Sequence, residues 1–101
     1  MINPVASDVM LVGETDYREI EFSGDDIAGG VTITGAAVAV APGVGLGTGL
    51  VLASATAIVT PDGSTCYAWM TAALPGEYDV TFTVSFSDGK VLNRVYHITV
   101  F

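Results

Sequence analysis

Residues 77–101, EYDVTFTVSFSDGKVLNRVYHITVF, alternate with a period of two on either side of a turn. Tyr78, Val80, Phe82, Val84 and Phe86 share one parity, and Asp79, Thr81, Thr83 and Ser85 the other. This is the pattern of a strand buried on one side only. Asp88-Gly89, within SDGK, suits the left-handed backbone of a tight hairpin, after which Leu92, Tyr96, Ile98 and Val100 resume a common parity. A hairpin with one apolar face is not stable alone and needs a second apolar layer to cover it.

The rest of the chain supplies that layer. YREIEF alternates over a short span, GVTITGAAVAV is rich in β-branched residues, and GLVLASATAIV sets Leu50, Leu52 and Ile58 on one parity. Val31 and Ile33 stand on odd positions but Val38 and Val40 on even ones, so the phase slips near Gly35, as at a β-bulge. STCYAWMTA, bracketed by TPDG and LPGE, is a further strand. No segment combines helical period with caps, although GAAVAVA has fair helix propensity. Six to seven short strands at about ten-residue spacing predict an all-β fold, a single immunoglobulin-like antiparallel β-sandwich, with a small barrel as its rival. The 101 residues suffice for one core, expected as an N-terminal arm over 1–13 followed by the sandwich domain over 14–101. There is no internal repeat or linker.

The run APGVGLGTGL, residues 41–50, has glycine at every second position from Gly43 to Gly49 and invites comparison with a phosphate-binding loop. Such a loop leads into a helix whose N-terminal donors face the anion, and it carries a lysine. Here the glycines lead into a strand-like segment, and the one lysine, Lys90, lies elsewhere. The run is expected instead to be a mobile connection between strands that orders against a neighbouring subunit.

Composition narrows function further. Eleven acids against three bases, Arg18, Lys90 and Arg94, give a formal net charge of -8, which repels nucleic acid and anionic lipid. Half the residues are apolar and only 14% charged, so apolar surface is expected to stay exposed unless a partner covers it. The N-terminus has no basic segment followed by an apolar core, and no later stretch has the length of a membrane span. The chain therefore reads as soluble and without a signal peptide.

No catalytic, cofactor or metal site is expected. Cys66, the only cysteine, excludes an internal disulfide, and with His97 as the only histidine there is no zinc cluster. A Cys66–His97 dyad lacks activating neighbours, so Cys66 reads as a small strand residue and His97 as a surface residue. Asp25 and Asp26 in SGDDIAGG offer loop oxygens without EF-hand spacing and read as solvated. Tyr67, Trp69 and Met70 can be drawn as an exposed patch for stacking on sugar, but a sandwich of this size usually buries its tryptophan, and Trp69 is expected in the core. Phe101 either completes the core edge or meets a partner, and free strand edges are an obvious place for assembly.

LPGEYDVTFTVSFSDGKVLNRVYHITV resembles the close of short tailed-phage virion proteins, the fiber-tail adaptors or small fiber proteins, through Gly76, Tyr78, Val80, Gly89, Lys90, Ile98 and Val100. DYREIEFSGDDIAGGVTIT is similar to their opening through Asp16, Tyr17, Ile20, Glu21, Phe22, Asp26 and Ile27. Between these ends the chain departs from the family, with Val31–Thr34 and YAWMTAALPG where relatives carry tryptophan-containing segments.

The resemblance implies a non-enzymatic part of a bacteriophage particle, assembled in the host cytoplasm, that links tail or baseplate to fibers. Its partners would be other virion subunits, including its own copies, with no nucleic acid, membrane or small-molecule substrate. A capsid cement or decoration protein is the alternative within that class. A carbohydrate or surface-ligand binding module built on Tyr67 and Trp69 is the alternative outside it.

Overall fold

A computed structural model describes residues 6–101. Its spine is the C-terminal hairpin, in which β7 (Gly76–Phe86) and β8 (Val91–Val100) pair antiparallel from Gly76 opposite Val100 to Ser85 opposite Val91. The turn closes as the Asp88-Gly89 pair predicts: Gly89 has φ +93°, Phe86 N–H donates to the Lys90 carbonyl, and Lys90 N–H donates to Asp88 Oδ1. Around the hairpin lie β1 (Ala6–Met10), β2 (Thr15–Glu21), β3 (Ile33–Ala41), β4 (Leu50–Leu52), β5 (Ile58–Val59) and β6 (Thr65–Ala72). Two short 3₁₀ turns, Gly24–Asp26 and Ala28–Gly30, precede β3.

The strands form two sheets, ordered β1-β8-β7-β3 and β2-β6-β4, with β5 also on β6. The protein is an all-β sandwich, and the barrel alternative is set aside. Its core draws on both sheets: Val80, Phe82, Val84 and Ile98 from one, Leu50, Leu52, Cys66 and Met70 from the other, all essentially inaccessible to water. Burial of a side chain the size of Leu or Phe contributes about 1.5–3 kcal/mol. The predicted phase slip is present as a shift in the β3/β7 register between Ile33 and Gly35.

The structure departs from the sequence reading in three places. Residues 6–10, expected within an arm, form β1, which pairs in parallel with β8 and buries Met10 completely. The pairing is therefore not all antiparallel, and eight strands are described rather than six or seven; residues 1–5 of the expected arm lie outside the described residues. The strand escaped notice because Asp8, which shares its inward parity with Ala6 and Met10, breaks the apolar pattern. The segment GLVLASATAIV is two short strands rather than one, and Ile58 faces outward while Leu50 and Leu52 face the core. Between them, residues 55–57 leave the β4 line to bond β3, through Val38 N–H to the Ala55 carbonyl and Ala57 N–H to the Ala36 carbonyl.

The two ends of the sandwich differ. At one end the 11–14 turn, the 42–49 loop, the 73–75 turn and Phe101 converge. Val12 N–H donates to the Phe101 carbonyl, Gly13 N–H to the Ala72 carbonyl, and Ala73 and Leu74 N–H both donate to the Gly49 carbonyl. At the other end, residues 22–32, 60–64 and 87–90 meet through Phe22 N–H to the Ser64 carbonyl and Ser87 N–H to the Thr32 carbonyl.

Candidate functional site

The candidate sites among the described residues are surfaces rather than clefts. The first candidate is the end built from the 11–14 turn, the 42–49 loop and the chain terminus. Leu11, Val12, Val44, Leu46, Leu74 and Phe101 are all exposed there, Val44 at 89% and Phe101 at 66% of full accessibility. The opposite end carries Asp25, Asp26, Asp62 and Asp88. The molecule measures 42 × 26 × 20 Å, and the eleven residues of β7 alone span about 33 Å, so the two ends are far apart.

The glycine run is part of this end. It connects β3 to β4, and two of its glycines lie against the sandwich. A Cβ at Gly47 would meet the Leu50 carbonyl and the Val40 side chain, and one at Gly49 would meet the ring and hydroxyl of Tyr78. The glycines thus let the loop lie flat against its own sandwich, while Val44 and Leu46 project from it.

The second candidate is the outer face of β2 and β6. Cys66, Ala68, Met70 and Ala72 point inward, so Tyr67 and Trp69 point outward, and Trp69 is 42% accessible. This corrects the expectation of a core tryptophan, and Met70 is in the core rather than the patch. Tyr17 lies opposite Trp69 in the register, with ring centroids 5.2 Å apart, and its ring is 5.6 Å from that of Tyr67. Glu19 and Glu21 follow Tyr17 on the same face.

All three bases are committed within the fold. Arg18, only 11% accessible in its side chain, places Nε 2.9 Å from Asp8 Oδ2 without the alignment of a hydrogen bond, and its Nη1 donates to Asp16 Oδ2 and to the Tyr17 carbonyl. Lys90 donates to Asp88 Oδ2 and to the Asp26 carbonyl, with its ammonium 4.7 Å from the centre of the Phe86 ring. Arg94 lies 3.8 Å from Asp26 Oδ2 and over the Phe22 ring. The remaining acids leave the surface strongly negative.

Strand-edge assembly fares less well than the sequence suggested. On the neighbouring edges β1 and β2, Val9 N–H donates to Asp8 Oδ1 and Tyr17 N–H to Asp16 Oδ1, while Leu11 N–H, just past β1, donates to Glu14 Oε1. Donors that would pair an incoming strand are thus occupied by carboxylates of the chain itself, a common defence against edge-to-edge association.

The remaining candidates are separated. Cys66 is fully buried, and burial pushes its thiol up to about 11. His97 is on the outer face of the other sheet, with Nδ1 2.7 Å from Asp79 Oδ1 and Nε2 3.5 Å from Glu77 Oε1; those carboxylates, Asp79 foremost, raise its pKa. The two residues do not meet. Asp26 is taken up by Lys90 and Arg94, and no cluster of three metal-ligating side chains occurs among the described residues.

Over residues 12–99 the chain matches the family model described as podophage GP4 fiber-tail adaptor protein gp77. The chain belongs to this family. No curated protein sequence matches it. The matched span takes in both candidate surfaces except Leu11 and Phe101. Membership in a fiber-tail adaptor family gives the chain a structural role in a phage tail and makes it a virion component in contact with other virion proteins. For an adaptor, the relevant chemistry is the burial of one protein surface on another, and the surfaces above are its raw material.

The sequence reading of this adaptor missed the meeting of Leu11, Val12, Val44, Leu46 and Leu74. The available signal was local: large apolar residues between glycines and prolines, in loops where solubility favours polar side chains.

Proposed function

We propose that the protein is a non-enzymatic link in the tail of a podophage, inserting its apolar end into a neighbouring subunit and leaving the rest of its surface for the next contact. The observation that carries this reading is the gathering of six exposed large apolar residues at one end of the sandwich. Exposed apolar surface of that kind marks protein contacts, and obligate interfaces are the more apolar ones. The immunoglobulin-like description belongs to the same reading. Strands β3, β7 and β8 take the places of C, F and G, and β2, β6 and β4 those of B, E and D. Tyr78, whose hydroxyl donates to the Leu74 carbonyl at 3.0 Å, stands where such folds have their tyrosine corner. Rigid, non-catalytic sandwiches of this type serve well as spacers between larger parts.

Quantitative mass spectrometry of purified particles tests the reading, with wild type compared to Phe101→Asp and Leu46→Asp. A few copies per particle, lost in both variants while the isolated variants keep their β circular dichroism, is the expected result. Copies near parity with the major shell protein would make the chain a capsid cement. Absence from particles would overturn the virion role and bring forward the carbohydrate-binding alternative.

A further inference from the structure

We propose that the outer face of β2 and β6 is a second docking surface, and that it receives an arginine-bearing segment of a neighbouring virion subunit; this rests on the adaptor reading above. Tyr17, Tyr67 and Trp69 form one cluster, with centroids 5.2 and 5.6 Å apart and planes inclined by 59° and 63°. Rings tilted in this way do not make the flat, coplanar platform on which a pyranose stacks. They present faces and edges from two strands on one side of the sheet. A guanidinium binds such faces within about 6 Å of a ring centre, and its planar fork pairs with a carboxylate beside them.

The carboxylates are in place. Glu19 lies opposite Tyr67 and Glu21 opposite Thr65 on the same face. Neither has a basic partner within ion-pair distance among the described residues. Among the described residues no cation is held in reserve, since Arg18, Lys90 and Arg94 are engaged by Asp8, Asp16, Asp88 and Asp26. The face is therefore aromatic and negative, and its electrostatic complement is a partner that brings positive charge. The described side chains of a second copy offer no unengaged lysine or arginine. The apolar end, by contrast, asks for an apolar socket, so the two surfaces call for chemically different partners. That is what an adaptor between two unlike structures requires.

Hydroxyl-radical footprinting of the isolated chain and of intact particles tests this, together with particles carrying Glu19→Arg/Glu21→Arg or Glu19→Gln/Glu21→Gln. The rings of Tyr17, Tyr67 and Trp69 are expected to be oxidised in the free chain and protected in the particle. The charge-reversed variant, folded by circular dichroism, is expected to leave particles with roughly tenfold fewer bound partners, and the neutral variant to fall in between. Rings equally oxidised in particles that contain the chain would overturn the docking surface while leaving the adaptor reading intact; absence of the chain from particles would overturn the adaptor reading itself. Protected rings with full assembly of the charge-reversed variant would overturn the basic partner. A saturable shift of Trp69 emission on adding maltoheptaose, with no shift from an acetyl-Gly-Arg-Gly-Arg-Gly-amide peptide, would replace it with a sugar.

Discussion

Gly49 lies directly against Tyr78: a Cβ on the glycine would overlap the tyrosine hydroxyl, the same hydroxyl that donates to the Leu74 carbonyl at 3.0 Å. The Gly49 carbonyl in turn accepts from Ala73 and Leu74 N–H. One tyrosine thus ties together the 42–49 loop, the turn before β7 and the first residues of β7. These segments carry Val44, Leu46 and Leu74 on their outer side, so the shape of the apolar end depends on a contact beneath it.

Gly49→Ala is expected to destabilise the protein by about 1–3 kcal/mol, the usual cost of overpacking a closed site. Tyr78→Phe removes one hydrogen bond and is expected to cost roughly 0.5–1.5 kcal/mol. In a Gly49→Ala/Tyr78→Leu double variant the added methyl has room, so the combined loss should be smaller than the sum of the Gly49→Ala and Tyr78→Leu single losses, the wild type completing the set of four. Urea unfolding of the four proteins checks this, and strict additivity would show that the two residues do not share a site.

Cys66 should be chemically silent in the folded state. Its thiol is fully buried and its pKa is pushed up to about 11 by that burial, so little thiolate exists at neutral pH and none is reachable. Iodoacetamide is expected to leave the native chain unlabelled and to label it stoichiometrically in 6 M guanidinium, an estimate of roughly full-unfolding conditions for a small domain. Labelling of the native protein within minutes would show that β6 opens far more often than its packing suggests.

Stability should decline through His97 as pH rises above the ordinary histidine value. The hydrogen bond to Asp79, then the contact with Glu77, raises its pKa above the ordinary histidine value. A group whose folded pKa is raised contributes stability that is fully present below its unfolded pKa and is lost as pH rises through the folded one. The site is open to solvent, and exposed ion pairs contribute roughly 0.2–1 kcal/mol. Melting curves between pH 5 and 9, a range chosen to bracket about two units around the histidine value, should therefore show a modest decline that disappears in His97→Gln. A slope unchanged in that variant would assign the effect elsewhere. At the acid end the sign reverses. Asp16, Asp62 and Asp88 have pKa values lowered by hydrogen bonds from Tyr17 and Arg18, Thr60 and Ser64, and Lys90, so their contribution is lost as pH falls below the ordinary carboxylate range.

Arg18→Met should loosen the β1/β2 side of the sandwich. The guanidinium bridges Asp8 on β1 to Asp16 and the Tyr17 carbonyl on β2. Hydrogen exchange is expected to quicken first at Ala6–Met10, with the β7/β8 hairpin unaffected. Arg18→Lys is not expected to rescue, because one ammonium cannot reproduce the fork. Uniform loss of protection would place Arg18 in the global core rather than at this edge.

Local periodicity made part of this protein legible. In β7 every second residue from Tyr78 to Phe86 is apolar, in β8 Leu92, Tyr96, Ile98 and Val100 keep one parity with Arg94 as its one polar member, and the Gly35 slip is a change of parity visible in the letters alone. β6 shows where that method stops. Both its parities are rich in nonpolar side chains, Cys66, Ala68, Met70 and Ala72 on one and Tyr67 and Trp69 on the other, and the usual burial of a sandwich's tryptophan points to the wrong face. The opposing sheet already fills the interior with Tyr78, Phe82 and Phe86. Sheets pack about 10 Å apart, so the facing strand must supply mostly small residues, and the aromatics are left outside.

The all-β architecture, the closing hairpin, the bulge and the acidic, lysine-poor surface are written in the amino-acid order, because each follows from neighbours in the chain or from composition. The parallel pairing of β1 with β8, the exposure of Trp69 and the gathering of Leu11, Val12, Val44, Leu46, Leu74 and Phe101 at one end emerge only in the folded chain. Those outcomes depend on which strand end lies beside which, and on volume shared across two sheets, quantities that exist only once distant segments have been brought together.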